Sequence, residues 1–241
     1  MNMAVAQTDP QQSIGQIAVN LPGATAIFRR LKLDFCCGGQ VPLSEAVAAK
    51  GLNLDVVVKA LSALERTDDT ATPTDPDALI AHILERYHAV HREQLPELIT
   101  MARRVEAVHK GHPDVPVGLG DLLEDMAHYL DSHMVKEETV LFPLLTTGGH
   151  ALAGMPMKVM RMEHTDHGES LDRLLNLTND ATPPLGACNT WRALYAGIDQ
   201  FRNDLINHIH LENNVLFPHF EQLVSKQGGC GSGGGCGCSG G

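Results

Sequence analysis

Two segments of the chain are near copies of each other, HMVKEETVLFP at residues 133–143 and HIHLENNVLFP at residues 208–218. Both follow the pattern H-x3-E-x3-L-F-P, and their matched positions are 75 residues apart. A weaker match relates YHAVH at 87–91 to EHTDH at 163–167, with an offset of 76 residues. The second half of this region therefore repeats the first, which indicates a duplicated two-helix unit.

The residues around these copies predict a bundle of four long helices. Helical apolar patterns cover about residues 77–109, 119–146, 152–177 and 188–226. Short breaks rich in Pro and Gly separate them, and short connections favour antiparallel neighbours. The sequence therefore predicts an all-α protein with a four-helix bundle over residues 77–226.

The rest of the chain divides into shorter parts. Residues 13–66 predict a small helical domain, with short amphipathic stretches ended by turn residues. Residues 67–76 are rich in Thr, Asp and Pro and indicate a linker. We expect residues 1–12 to be disordered. Residues 227–241 are almost entirely Gly, Ser and Cys, a composition that cannot bury a core, and indicate a flexible tail.

Helical spacing gives the two copies a common chemistry. Side chains four residues apart project from nearly the same face, so His133 points with Glu137 and His208 with Glu212. The neighbouring Leu-Phe pair is apolar, so this face is expected to look into the bundle. Carboxylates and imidazoles are very costly to bury without a partner. A metal ion removes that cost.

The ligand types limit which metal is expected. Imidazoles and carboxylates without a thiolate suit iron, manganese or zinc. The duplication favours two ions, each bound by two histidines, with Glu137 and Glu212 bridging the pair. Spacing leaves open which histidines of the first and third helices face the ions, His88 or His91 and His164 or His167.

Composition argues against several classes of function. A formal net charge of -11 disfavours phosphate binding and therefore nucleic acid, and it equally disfavours an anionic membrane surface. The sequence has no run of about 18 apolar residues that could span a bilayer. The polar start of the chain has no secretory pattern. We therefore expect a cytoplasmic protein with no nucleic-acid or membrane partner.

The six cysteines predict reduced thiols rather than a disulfide framework, because they are clustered instead of spread through the fold. Cys36 and Cys37 are adjacent in a glycine-flanked loop, which suggests exposure and suits thiol redox chemistry or transient iron handling. A loop with two incidental thiols is the alternative. Cys188, near Trp191, is expected to be a packing residue. The remaining thiols lie in the tail, as Cys230, Cys236 and Cys238.

The chain resembles the repair-of-iron-centres family of di-iron proteins, whose large domain is hemerythrin-like. The resemblance extends to about residue 225 and includes DFCCGG at 34–39, RYHAVHRE at 86–93, Glu163-His164, ACNTWR at 187–192 and both H-x3-E copies. It implies two iron ions in an oxo-bridged centre. The terminal ligands it implies are His88, His133, His164 and His208, with Glu137 and Glu212 as bridges.

Other residues near these positions have less specific expectations. Glu163 precedes His164 and is a candidate to orient a ligand or relay protons. The histidines expected on the surface or in loops are His91, His109, His112, His150 and His219. Those expected beside the ligands or on the surface are His167 and His210.

The resemblance also implies a function, because the family is associated with restoring iron–sulfur clusters damaged by nitric oxide or oxidants. On this hypothesis the centre supplies iron to damaged iron–sulfur proteins, and Cys36 and Cys37 meet the client or carry the ion. One alternative is an enzyme that binds or reduces nitric oxide at the di-iron site. Another is a carrier or sensor of dioxygen or nitric oxide. The sequence leaves open the client, the electron source, the role of the tail, and whether the protein is a monomer or a dimer.

Overall fold

The computed structural model describes residues 8–64, 73 and 75–227. In these residues every regular element is a helix, apart from an isolated β-bridge between Ser13 and Pro42. The protein is therefore all-α, with a helical bundle preceded by a small helical domain. Most of the predicted linker and the tail beyond Gln227 lie outside the described residues. No described helix has the length and apolarity that crossing a membrane requires.

The small domain consists of four short helices: α1 (Ile14–Asn20), α2 (Ala24–Arg30), α3 (Leu43–Ala49) and α4 (Leu54–Ser62). The Ser13 side chain caps α1 and the Asn53 side chain caps α4, each by accepting a backbone N–H of the first turn. Phe28 and Phe35 lie at the centre of the core, with aliphatic residues from all four helices around them. This core is separate from those of the bundle.

Residues 10–12, the last part of the segment expected to be disordered, form backbone hydrogen bonds with the start of α3. The Leu43 N–H donates to the Gln12 carbonyl, and the Ser44 N–H donates to the Pro10 carbonyl, each at 3.0 Å. These bonds satisfy amides at the start of α3, which have no acceptor within their own helix. Residues 10–12 therefore serve as a backbone cap for α3. Residues 1–7 of the expected disordered segment lie outside the described part.

All four predicted long helices are present as segments of the bundle. The first contains α5 (Pro76–Ile83), a π-helical turn π1 (Leu84–His88) and α6 (Ala89–Val108). The second contains α7 (Leu119–Lys136), π2 (Glu137–Leu141) and α8 (Phe142–Thr146). After a 3₁₀ turn (His150–Leu152), the third is α9 (Gly154–Leu177), and the fourth contains α10 (Asn189–Leu211), π3 (Glu212–Leu216) and α11 (Phe217–Gln227).

The π turns account for the L-F-P ending of the two copies. In π2 the Phe142 N–H donates to the Glu137 carbonyl, five residues back instead of four, and π3 repeats this bond. Pro143 and Pro218 follow directly. A proline has no N–H, and its ring crowds the carbonyl four residues earlier, so the helical ladder shifts at this point. Each copy therefore forms the same irregular turn, which begins at its glutamate.

Two apolar clusters fill the bundle, and the predicted ligands lie between them. Along the first segment, Ile83 belongs to one cluster and Leu95 to the other, with His88 between. Along the fourth, Leu205 and Phe217 belong to opposite clusters in the same way. A layer of polar side chains therefore interrupts an otherwise apolar interior.

The small domain packs against the bundle around π3. Asn214 Nδ2 donates to the carbonyl oxygens of Phe35 and Cys36, each at 3.2 Å. Gly15 and Gly39 approach the Asn214 side chain so closely that a Cβ at either position would collide with it. The small domain therefore contacts the bundle directly. The structure places its cysteine loop, residues 34–39, directly on it.

Candidate metal centre

Six buried side chains meet at the level of the π turns. His88 ends π1, while Glu137 and Glu212 begin π2 and π3. Two histidines lie one turn before the glutamates, and another comes from the middle of α9. None of the six is more than 1% exposed: His88, His133, Glu137, His164, His208 and Glu212. These are the six residues that the family resemblance implies.

The six side chains form two overlapping groups of four, because both glutamates belong to each group. One group is His88, Glu137, His208 and Glu212, and the other is His133, Glu137, His164 and Glu212. Within each group the possible ligand atoms lie within 4.8 Å of one another. Each group can hold a cation.

Each glutamate presents one oxygen to each group. Glu137 Oε2 lies 3.4 Å from His88 Nε2, and Glu137 Oε1 lies 3.4 Å from His133 Nε2. Glu212 Oε1 lies 3.1 Å from Nε2 of the histidine one turn earlier on its own segment, and Oε2 lies 2.9 Å from His164 Nε2. Two carboxylates placed in this way can each bridge a pair of cations.

Three of the imidazoles are held by an acceptor at Nδ1: His88 by Glu138 Oε1 at 2.8 Å, His133 by Glu163 Oε2 at 2.9 Å and His164 by Asn213 Oδ1 at 2.9 Å. An acceptor at Nδ1 draws the ring proton there and leaves Nε2 free to bind a cation. The sequence singled out Glu163 as an orienting residue but missed Glu138 and Asn213. Their position in the sequence could have identified them, because each directly follows the glutamate of its copy.

The acidic partners of the imidazoles are themselves held in the ionised form. Hydrogen bonds from His133 and Lys136 lower the pKa of Glu163 to about 2. Partial burial raises the pKa of Glu138, but hydrogen bonds from Arg92 and His88 outweigh burial and lower it. Arg92 reaches both Glu138 oxygens, at 2.7 and 3.2 Å. These carboxylates therefore remain acceptors at neutral pH.

The buried groups share protons unevenly. Burial lowers the pKa of His133, but the carboxylates of Glu137 and Glu163 outweigh it and raise that pKa to about 10. Burial, together with the neighbouring His88, lowers the pKa of His208 well below its usual value. A buried cluster of like groups cannot hold all of its charges at once. Protons on the imidazoles therefore balance part of the buried carboxylate charge that cations would otherwise balance.

The donor set fits a pair of cations. Neither oxygen of Glu137 makes a hydrogen bond to any described residue, although the side chain is fully buried. Buried carboxylates normally have such partners. A divalent cation beside each histidine pair would supply one. Nitrogen and oxygen donors without a thiolate suit iron, manganese or zinc.

Aromatic rings separate the centre from the apolar cluster beyond it. Ring centroids are 5.9 Å apart for Phe142 and His88, 6.1 Å for Phe217 and His164, and 5.4 Å for Tyr87 and His208. Both phenylalanines come from the L-F-P ending of a copy, so the duplication places the same ring on each half. Their stacking covers one side of the six-residue group.

The paired cysteines lie against the bundle instead of in a fully exposed loop. Cys37 Sγ is 3.4 Å from the His164 carbonyl oxygen, and Cys36 Sγ donates a hydrogen bond to Cys37 Sγ at 3.7 Å, with no disulfide between them. The Asp34 carboxylate orders the loop by accepting the backbone N–H groups of Cys37 and Gly38, each at 2.9 Å. Both cysteines are half-buried, which corrects the exposure suggested by the flanking glycines.

The loop also provides a third group of possible ligands, consisting of Asp34, Cys36 and Cys37. The hydrogen bond to Cys37, with burial, raises the pKa of Cys36 well above its usual value. Cys36 is therefore a protonated thiol at neutral pH. It becomes a ligand or nucleophile only when its proton is displaced.

Three other histidines of the described part of the chain are buried. The expectation that His91 lies at the surface is wrong, because it is 0% exposed. His167 and His210, expected beside the ligands or at the surface, are 7% and 4% exposed. The signal for His91 was its spacing, three residues after His88, which places it on the same face of the helix.

His109 and His219 lie outside the six-residue centre. His109 Nε2 contacts Cys188 Sγ at 3.2 Å, and its ring lies 4.9 Å from that of Trp191. Cys188 is thus a half-buried packing residue at the start of α10, as predicted. His219 is exposed, also as predicted. The side chain of His150 lies outside the described part.

A helical bundle whose buried histidines and glutamates form two groups that could each hold a cation is typical of a hemerythrin-like protein. The family described as Hemerythrin HHE cation binding domain matches residues 79–220. A second family, described as Domain of Unknown function (DUF542), matches residues 10–65. The two matches cover the bundle and the small domain respectively.

Comparison with similar proteins identifies a more specific family for the whole chain. The chain is 47% identical over 213 residues to a probable iron-sulfur cluster repair protein of Haemophilus influenzae, covering 86% of this chain and 96% of that protein. It is 49% identical over 215 residues to the iron-sulfur cluster repair protein YtfE of Pectobacterium atrosepticum, covering 86% and 95%. The match to YtfE of Dickeya chrysanthemi is 48% over 210 residues, covering 86% and 95%. The chain belongs to the iron–sulfur cluster repair protein family.

Proposed function

We propose that the bundle holds two iron ions, and that the protein supplies iron to iron–sulfur clusters damaged by nitrosative or oxidative stress. One observation carries the proposal: Glu137 and Glu212 each present one oxygen to each of two histidine pairs. Paired cations bridged by carboxylates are the natural occupants of such a group. The names of the similar proteins support repair as the role that this centre serves.

The residues have distinct tasks in this proposal. His88 and His208 bind one ion, His133 and His164 bind the other, and Glu137 and Glu212 bridge the two. Iron held by imidazoles and carboxylates is exchangeable, and it supplies the ion that a damaged cluster has lost. When an ion leaves, the buried carboxylates and imidazoles take up protons, so binding and release are coupled to proton exchange.

In our proposal the cysteine loop takes part in the next step, the transfer of iron. Cys37 Sγ lies 3.4 Å from the backbone of His164, a proposed ligand. Cys36, Cys37 and Asp34 form a small group whose ligand atoms lie within 4.8 Å of one another. In our proposal this loop receives the departing ion or meets the damaged cluster of the client. Thiolates bind iron well, and an arriving cation displaces the proton that the hydrogen bond with Cys37 and burial keep on Cys36.

The first test of the proposal replaces one of the two proposed bridging glutamates. Glu137→Ala should lower iron from two ions per chain and abolish recovery of a [4Fe–4S] enzyme inactivated with nitric oxide. Glu93→Ala is the matched control, because Glu93 is an exposed glutamate on α6. Iron is measured by metal analysis, recovery by the client's activity, and folding by circular dichroism. Repair by an iron-free variant would contradict the proposal.

A second variant separates holding iron from delivering it. Cys36→Ser with Cys37→Ser should keep both iron ions, because neither thiol belongs to the six-residue group, but should lose recovery of the client. Cys188→Ser is the control, because Cys188 is a half-buried thiol at the N-cap of α10 and belongs to none of the candidate ligand groups. Full recovery with the serine pair would remove the cysteine loop from the proposed pathway while leaving the iron centre in place.

A further inference from the structure

The internal repeat gives the bundle two related faces, and the small domain covers one of them. His210 and Asn214 lie under this domain and contact the Phe35 carbonyl oxygen, at 3.4 and 3.2 Å. The positions 75 residues earlier are Val135 and Thr139, and both side chains are exposed. The second face, around the end of α7, therefore has no covering domain among the described residues.

Exposed apolar side chains are concentrated on this second face. Six of the 13 large apolar side chains that are exposed in the described residues lie between residues 135 and 162. Three of them, on α9, are spaced i, i+4 and i+7 and form one stripe along the helix. Scattered apolar residues are normal on a surface, but a contiguous group marks an interaction site. We call this group the α7–α9 face: Val135, Val140, Leu152, Met155, Val159 and Met162.

The packing of the two helices brings this group together. α7 and α9 are antiparallel, because residues 119–134 share one apolar cluster with the end of α9 and residues 141–145 share the other with its start. Lys136 forms an ion pair with Glu163 across the two helices. One turn beyond this pair, Val140 follows on one helix and Val159 on the other, so the two valines continue a single surface.

The charge of this surface differs from that of the rest of the chain. Residues 139–162 contain Lys158 and Arg161 but no Asp or Glu, although the chain has 29 acidic residues and a net charge of -11. Arg161 is paired with Glu221 at 3.2 Å. Lys158 is exposed within the apolar stripe of α9 and forms no ion pair with a described residue. A free ammonium among exposed apolar side chains favours a partner that brings carboxylates.

A second copy of the chain is a poor match for this face. A two-fold dimer places the same surface of each copy against the other. It would bring two Lys158 ammonium groups to one interface and join two chains of net charge -11 each. Both effects are repulsive. A different protein, with apolar side chains and carboxylates on its surface, is complementary to the face in both respects.

We infer that the α7–α9 face is the docking surface for the damaged iron–sulfur protein, which brings an apolar patch bordered by carboxylates. The inference rests on the proposed function, because iron supply requires the client to come close to the centre. Glu163, at the edge of the face, bonds His133 Nδ1 at 2.9 Å. Cys37 Sγ contacts the carbonyl of His164, also on α9. A client docked here therefore lies beside the centre and one helix away from the cysteine loop, while the small domain keeps its own face.

Charge substitutions test the docking surface. The probe is the nitric-oxide-inactivated [4Fe–4S] enzyme of the repair assay, labelled with a fluorophore and titrated with the full chain in its iron-bound form. Met155→Glu with Met162→Glu should raise the dissociation constant at least about tenfold, because two carboxylates then meet an apolar, acidic partner. Lys158→Glu should also weaken binding, and Lys158→Arg should preserve it. Val108→Glu with Val117→Glu is the matched control, since these exposed valines lie outside the face.

Several outcomes would overturn the inference. One is an equal dissociation constant for the methionine variant and the valine control, with both folded by circular dichroism and both holding two iron ions. Another is a wild-type dimer in sedimentation velocity that the methionine substitutions convert to a monomer, since this would assign the face to a second copy. Failure of the proposed function would have a different signature: wild-type protein that binds the inactivated enzyme but contains no iron or restores no activity.

Discussion

Asn213 Oδ1 lies 2.9 Å from Nδ1 of His164, so one amide side chain orients a buried imidazole of the candidate centre. The Nδ2 atom of the same side chain donates to the Cys36 carbonyl oxygen at 3.2 Å. A single residue of π3 therefore links the six-residue group to the cysteine loop. The corresponding residue of the first copy, Glu138, contacts only the bundle side of this arrangement, through His88 and Arg92.

Replacing Asn213 should loosen this link. Asn213→Ala leaves the Cys36 carbonyl and the His164 Nδ1 without this partner, so we expect a loss of about 1–3 kcal/mol in unfolding free energy. We also expect faster alkylation of Cys37 by iodoacetamide, because the loop is less firmly held. Asn203→Ala is the control, since Asn203 bonds only within α10, to Asp199. Equal alkylation rates in the two variants would argue against a link through Asn213.

The close packing of Gly39 makes a second prediction. A Cβ at this position would lie 2.6 Å from the Phe35 carbonyl oxygen and would also collide with Asn214. Gly39→Ala should therefore destabilise the docked loop, by about 1–3 kcal/mol as in other overpacked sites. Gly154→Ala is the control, because a Cβ there meets nothing within 4 Å. Chemical denaturation checks both, and a neutral Gly39→Ala would mean that the loop is held elsewhere.

The charged partners of the imidazoles should influence metal retention. Glu163→Gln keeps an acceptor near His133 Nδ1 but removes the negative charge, and loss of such partners commonly costs about 10–100-fold in metal affinity. We expect iron to be lost to a chelator at least tenfold faster than from the wild type. Glu169→Gln changes an exposed glutamate on the same helix and should have no effect. Identical loss rates would show that Glu163 serves the salt bridge with Lys136 and not the metal.

The sequence repeat predicted much of the bundle and of the candidate centre. The matched H-x3-E pairs placed His133 with Glu137 and His208 with Glu212 on single helix faces, and the structure brings all four together. Spacing alone did not choose between His88 and His91. The family resemblance chose His88, which the structure groups with the glutamates, while His91 lies one layer deeper in the core.

Other features depend on contacts that no local pattern encodes. The docking of the cysteine loop needs Asn214 to meet Gly39 and the carbonyl of Phe35, residues far apart in the chain. The burial of His91 was mispredicted because histidine is common at surfaces, although the leucine spacing that follows it pointed inward. The π turns shift each helix by one residue, which a fixed helical period cannot represent.

Those turns also restrict how the length of the chain can change. A π turn contains one residue more than the α-helical turn it replaces, so removing a residue would restore the regular helix. Each residue of a helix contributes about 100° of rotation, and a deletion in π2 would therefore swing His133 away from Phe142 and its neighbours. Substitutions within the turn have no such effect. In related chains we expect insertions and deletions to fall in the connecting loops, and the interval from His133 to Phe142 to keep a constant length.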